Sequence, residues 1–246
     1  MSIIKKIENT DRIAEGYVND FRKIIDRIEA RLSQTVKAGV WTNAEVDAAL
    51  VREQLNQIMV DSGYQANINK MFDKGYQDLL AQNVEFYNQR LSASLRYTPE
   101  SLDKLNLIKQ LDLEKFESLG ESQVRELERV IINAQFGSIS SGDLTAQLKS
   151  TLDEGMSRYA DTWVNTAISG FDRVAGSTIA LDGGVEYFEY IGPDDKLTRP
   201  FCEEHLGQVK KWEEWDAMVN DQGSKVTVYC GGARCRHQLV AVPNPE

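Results

Sequence analysis

All three cysteines (Cys202, Cys230, Cys235) and both histidines (His205, His237) fall within one 36-residue stretch near the C-terminus, and none precedes it. That confinement constrains the fold. The spacings Cys202-x-x-His205 and Cys230-x4-Cys235-x-His237 allow two short segments to present ligands to one tetrahedral ion. If 201–207 forms a helical turn, Cys202 and His205 stand three apart on one face. If 235–237 is extended, Cys235 and His237 share a face, because side chains alternate along a strand. Cys202, His205, Cys235 and His237 then make a Cys2His2 set of soft thiolates and borderline imidazoles that suits a structural zinc ion. Cys230, just before Gly231-Gly232, is a substitute for one histidine. Two other readings stand beside this one: packed side chains without a metal, and a Cys202–Cys235 disulfide. Three cysteines cannot all pair within one chain, and their crowding beside histidines fits a reducing compartment better than a disulfide framework.

Upstream, the chain reads as helix after helix. Residues 1–180 contain one proline, Pro99, and few of the alternating apolar runs that strands require. Ile4, Ile7, Asp11, Ala14, Val18, Phe21, Ile25, Ile28 and Leu32 are spaced three and four apart, a heptad seam interrupted at Asp11. Its partner is either another helix of this chain or a second subunit, so a homo-oligomer through the N-terminal helices is one expectation. Thr42-Asn43-Ala44-Glu45 has the pattern of a capping box and predicts a second helix running to Ser62-Gly63. Ile68, Phe72, Tyr76, Leu80, Val84, Tyr87 and Leu91 form the core stripe of a third. Thr98-Pro99 opens a fourth that Leu119-Gly120 should end, with further helices over 121–136 and 142–152 separated by the polar joint 137–142. A last long helix over 156–180 places Tyr159, Trp163, Ala167, Phe171, Val174 and Ile179 near one face, with small residues such as Ala175 and Gly176 for close packing.

After Asp182-Gly183-Gly184 the pattern changes. The segments 185–191, 225–229 and 238–242 read as strands, and Trp212 to Trp215 as a short helix that covers the metal or packs on the strands. Arg199 with Asp194 or Asp195 reads as an ion pair fixing the Gly192-Pro193-Asp194-Asp195 turn, while Arg234 and Arg236 are weak candidates for phosphate contact. The expected fold is mainly α: an elongated multi-helix N-terminal region with a small α+β, Cys/His-rich C-terminal knob. The domains expected are 1–140, helical, and 141–246, with its small sheet at 185–246.

A formal charge of −10 argues against a generally basic nucleic-acid-binding surface and leaves only local contact with DNA. The opening residues lack the apolar core of a signal peptide, and no run approaches the roughly 18 apolar residues of a membrane span. The chain is therefore expected to be unsecreted, with no membrane span. Catalysis is not expected. A nuclease of the His-Asn-His type needs a histidine base beyond any structural metal, and zinc would take both histidines. His-Glu-x-x-His, a phosphate-binding glycine loop and a Gly-x-Ser-x-Gly elbow are all missing from the sequence.

One order of residues carries more information than any single spacing. Gly192-Pro193-Asp194-Asp195-x-x-Thr198-Arg199-Pro200-Phe201-Cys202 is followed by Gly207, by Trp212-Glu213-Glu214-Trp215, by Gly231-Gly232-x-x-Cys235-Arg236-His237, and by a hydrophobic strand ending Val242-Pro243. This resembles the C-terminal signature of the phage head morphogenesis family, the minor head proteins similar to phage Mu protein F. The likeness covers about the last 60 residues, with Asp195, Arg199, Cys202, Gly207, Gly232, Cys235 and His237 as matching positions. It implies a minor virion component in the capsid interior or portal region, present in the host cytoplasm during assembly. Its implied partners are the portal and the major capsid protein, with contact to packaged DNA, and its implied role is in head assembly and DNA packaging or ejection. The alternative is a zinc-knuckle adaptor or regulatory binding protein, and a metal-dependent nuclease ranks below both.

Overall fold

The computed structural model describes residues 1–42, 47–137 and 139–244. In chain order the elements are α1 (Ile3–Lys37), α2 (Ala48–Asp61), α3 (Tyr64–Lys70), α4 (Tyr76–Leu91), α5 (Pro99–Phe136), α6 (Ser141–Leu152) and α7 (Arg158–Asp182). They continue with β1 (Tyr187–Ile191), α8 (Pro200–His205), β2 (Val209–Lys211), α9 (Trp212–Ala217), α10 (Val226–Tyr229) and β3 (Gln238–Val242). The fold is thus mainly α with a small α+β region at the C-terminus, the class expected. No helix among the described residues is long and apolar enough to cross a membrane. Two compact units are drawn from interleaved segments: Met1–Gly16, Phe72–Leu111 and Thr162–Glu246 form one, and Tyr17–Met71 with Asp112–Asp161 form the other.

In the second unit the heptad seam finds its partner within the chain. Val18, Phe21, Ile25, Ile28 and Leu32 are buried, and Phe21 meets Tyr64 and Phe116 with ring centroids 5.9 Å apart in each case. That face is therefore not the surface of an intersubunit coiled coil. Helix α2 is capped by Asp47, which accepts from the Ala49 amide at 2.8 Å. The expected capping box has residues 43–46 outside the described residues. Ser140 caps α6 as the polar joint suggested, accepting from the Asp143 amide at 3.1 Å. Gly120 does not end its helix: α5 runs through it, because a Cβ there would sit 2.6 Å from the Tyr64 ring, so the glycine serves close packing.

The first unit holds the C-terminal region. The sheet order is β2-β1-β3, antiparallel throughout, with Phe188 opposite Ala241 and Tyr190 opposite Leu239. Phe188 and Tyr190 alternate onto the buried face of β1, where they join Phe86, Tyr87, Ile179, Ala180, Phe201, Trp215 and Leu239 in one core. Trp215 packs on the strands, its indole N–H donating to the Phe188 carbonyl at 2.9 Å. Within 225–229, where a strand was expected, Val226–Tyr229 is helical and Lys225 alone bridges to Val219. The helical amides bond four residues back, Tyr229 to Lys225 and Cys230 to Val226, each at 2.9 Å. Branched side chains alone do not make a strand when no sheet edge is beside them. The single helix expected over 68–91 is divided into α3 and α4 by a π-helical turn, Met71–Gly75.

The start of α1 departs most from expectation. Ile4 is 67% exposed, whereas Lys6 and Thr10 are buried. Their partner is Asp172 on α7: Lys6 Nζ donates to its Oδ2 at 2.7 Å and to Gln238 Oε1 at 2.8 Å, and Thr10 Oγ1 donates to the same carboxylate at 3.0 Å. Asn83 and Gln238 amides supply the remaining donors, at 2.8 and 2.7 Å. Burial lowers the Lys6 pKa, and the Asp172 charge offsets part of that effect. Removing one member of such a pair strands the other in the core. Asp172→Ala should therefore lower the unfolding free energy by about 3–5 kcal/mol, and Lys6→Met with Asp172→Leu should recover much of it. Urea unfolding of the three proteins checks this.

Candidate metal centre

Three elements converge on the buried face of the sheet. Pro200 fits the first turn of α8, where a missing amide donor costs nothing, and the short helix turns Cys202 inward. His237 immediately precedes β3 and shares a face with Leu239, so it lies diagonal to Tyr190 across the β1–β3 pair. The two rings stack with centroids 5.4 Å apart and planes 24° apart. Cys235 lies two residues earlier. The ligand atoms of Cys202, Cys235 and His237 all fall within 4.8 Å of one another, and the three residues are 1%, 5% and 2% exposed.

The distances fit a metal. Tetrahedral zinc, with Zn–S about 2.3 Å and Zn–N about 2.05 Å, separates two sulfurs by about 3.8 Å and a sulfur from a nitrogen by about 3.6 Å. The Cys202 and Cys235 sulfurs are 3.7 Å apart, and Cys235 Sγ lies 3.6 Å from His237 Nδ1. These sulfurs are unbridged thiols, since a disulfide would hold them at about 2.05 Å. His237 Nε2 is buried with no hydrogen-bond partner, so the protein leaves one ring nitrogen unaccounted for. Cys202, Cys235 and His237 therefore lie close enough to bind a metal ion.

Hydrogen bonds concentrate negative charge on Cys235. Tyr190 Oη donates to Cys202 Sγ at 3.3 Å, and the Gly231 amide donates to Cys235 Sγ at 3.3 Å. The hydrogen bond between the two sulfurs drives their pKa values apart: Cys235 is drawn down, helped by His237 and Arg173, while Cys202 is pushed up, with burial adding to the effect. Burial also pushes the Cys230 thiol up to about 12. A metal ion would displace the proton held between the sulfurs.

The loop carrying these groups is held by two arginines. Arg173, buried on α7, donates to the carbonyls of His237 at 2.8 Å, Val228 at 3.1 Å and Cys235. Arg199 donates to the carbonyls of Gly231 at 2.8 Å and Ala233 at 2.7 Å, so it does not form the turn ion pair expected with Asp194 or Asp195. Asp195 pairs instead with Arg236, whose guanidinium makes two bonds to the carboxylate at 2.9 and 2.7 Å. Those bonds, with the Leu197 amide, hold the Asp195 carboxyl down at about 2. Two glycines admit the site's bulk: a Cβ at Gly231 would lie 2.2 Å from Cys202 Sγ, and one at Gly192 would lie 2.4 Å from the His237 ring.

Of the residues singled out from sequence, Cys202, Cys235 and His237 come together. His205 and Cys230 stand outside that close group. His205 Nδ1 pairs with the Phe201 carbonyl at 2.8 Å and its ring stacks on Phe201, centroids 4.3 Å apart. Tyr190 and Arg173 were missed from sequence. Tyr190 lay within a segment read as a strand, and the one available signal for Arg173 was that Asp172-Arg173 are the only charged residues in 162–181. No family model matches the chain, and no curated protein or solved structure matches it.

Gly231→Ala should push Cys202 away from Cys235 and destabilise the fold by about 1–3 kcal/mol, with lower metal uptake in direct titration. The Asp195–Arg236 pair sets an acid response. A carboxyl depressed in the folded state contributes stability that is present above its unfolded pKa, about 3.9, and is lost as pH falls toward 2. In Arg236→Gln the Asp195 carboxyl should titrate close to the ordinary value, and the loss of stability on acidification between pH 4 and 2 should be shallower. Carboxyl NMR and acid unfolding curves read both effects.

Proposed function

We propose that this chain is a minor structural protein of a tailed-phage head, acting beside the portal in head assembly and in DNA packaging or ejection. The reading comes from the residue order between Gly192 and Pro243. The observation that carries it is that the residues of this order engage one another. Asp195 holds Arg236, Arg199 holds the backbone at Gly231 and Ala233, and Cys202, Cys235 and His237 meet in the core. Gly207 and Gly232 occupy positive φ, 77° and 108°, where other residues are strained. Such mutual use suits a rigid structural terminus.

In this reading the metal is a structural zinc ion, favoured by two soft sulfurs 3.7 Å apart and an imidazole nitrogen 3.6 Å from one of them. The three groups are buried, which shields them from a macromolecular substrate and supports a structural over a catalytic role. The acidic balance favours protein partners over extended DNA contact, so the portal or the major capsid protein comes first and packaged DNA second. The chain would work in the host cytoplasm during assembly and remain in the virion.

Quantitative mass spectrometry of gradient-purified particles from the source tests the proposal. The expected result is a fixed, low copy number per particle across preparations. Abundant chain in infected cells with none in purified particles would overturn it and favour a regulatory adaptor.

A further inference from the structure

We propose that Cys230 supplies the fourth ligand, so that the centre is Cys202, Cys230, Cys235 and His237, with Tyr190 as a hydrogen-bond donor to it. This deepens the metal reading above and rests on it. The first argument is charge. The Arg173 guanidinium is buried, and its three hydrogen bonds all end on neutral carbonyls. Its neighbour Asp172 is engaged by Lys6, Thr10, Asn83 and Gln238. Without a metal the charge drawn onto Cys235 answers this cation, but an ion bound there would neutralise it, and a buried cation left without an anion is costly. Zinc with two thiolates and a neutral imidazole carries no net charge; a third thiolate makes the centre an anion that balances Arg173.

The second argument is backbone geometry. Cys230 sits at φ 45°, ψ −118°, a region glycine tolerates and a side chain does not. The surroundings enforce it: its amide donates to the Val226 carbonyl at 2.9 Å, and its carbonyl accepts from Asn220 Nδ2 at 2.8 Å. The residue is fully buried. An observed outlier of this kind, at a cysteine one peptide from the site, points to a role for the side chain. The next residue, Gly231, already touches both sulfurs, through its amide to Cys235 and its close approach to Cys202.

Cys230 lies outside the close group, so the proposal requires its side chain to turn between staggered wells, a movement of the sulfur of about 3 Å, when an ion is present. Tyr190 Oη, 3.3 and 4.0 Å from the two sulfurs, is the rival. A phenol is a harder ligand than a thiol and loses its proton less readily, so a soft, thiolate-rich site selects the sulfur. His205 is the weaker rival, because it lies outside the close group with its ring stacked on Phe201.

Zinc-edge X-ray absorption on the zinc-loaded protein counts the sulfurs bound to the ion directly, with no variant needed. Three sulfurs and one nitrogen are expected. Cys230→Ser should drop the count to two, while Tyr190→Phe should keep three. Two sulfurs and two light atoms in the unaltered protein would overturn the assignment of Cys230 and leave the metal centre standing; if Tyr190→Phe then loses one light atom, the fourth ligand is Tyr190. A protein that takes up no zinc would overturn the ligand assignment and the metal reading together.

Discussion

The buried guanidinium of Arg173 is the contact on which the rest of the C-terminal region depends. Its fork satisfies carbonyls at Val228, Cys235 and His237, so one side chain fixes the backbone at the Cys235–His237 pair and at α10 before it. The preceding residue, Asp172, holds Lys6 of α1 and Gln238 of β3. Successive residues on a helix point about 100° apart, so two adjacent charges address different neighbours. One turn of α7 thereby ties the chain's first helix, its last strand and the loop between α10 and β3. Burying charge costs several kcal/mol per ion, and the arrangement stands because nearly every donor and acceptor is met.

The same arrangement explains how a hydrophobic core can hold thiols ready for a metal. Tyr190 donates to Cys202, whose sulfur lies within hydrogen-bond reach of Cys235, which also receives the Gly231 amide. Without a metal, that line of donors and the nearby guanidinium stabilise negative charge on one sulfur. With one, the cation would take the place of the thiol proton, and Tyr190 and the Gly231 amide could still donate to the sulfurs. The site is thus compatible with both conditions without moving the backbone, which is what close approach at Gly231 and Gly192 requires.

Much of this was legible in the sequence, for identifiable reasons. Cys202, Cys235 and His237 stood out because cysteine and histidine are scarce in this chain and crowded into one segment. Strand β3 was legible to the residue, and β1 lay within the segment read as a strand, since alternation is a local property. What was hidden depends on partners distant in sequence. Lys6 is buried because Asp172 faces it, and no local pattern could show that a lysine would displace Ile4 from the inward face. Gly120 is mid-helical because the Tyr64 ring occupies its Cβ position. His205 has the right spacing from Cys202, yet its ring stacks on Phe201, four residues back, outside the close group. Short segments such as 225–229 fail for another reason: four or five residues carry too little periodicity to separate a helical turn from a strand.

The small sheet cannot account for its own stability. Its strands are five, three and five residues long, too little surface for an independent core. The core it shares draws Phe86 and Tyr87 from α4 and Ile179 and Ala180 from α7, and Arg90 of α4 donates to the Ala241 carbonyl of β3 at 3.0 Å. A metal at Cys202, Cys235 and His237 would therefore add a clasp to a sheet already packed on helices. It would fix the α8 turn and the loop before β3. The division of labour follows from the residues: apolar burial by α4 and α7 positions the sheet, the arginines position the loop, and the sulfurs and imidazole lock one to the other.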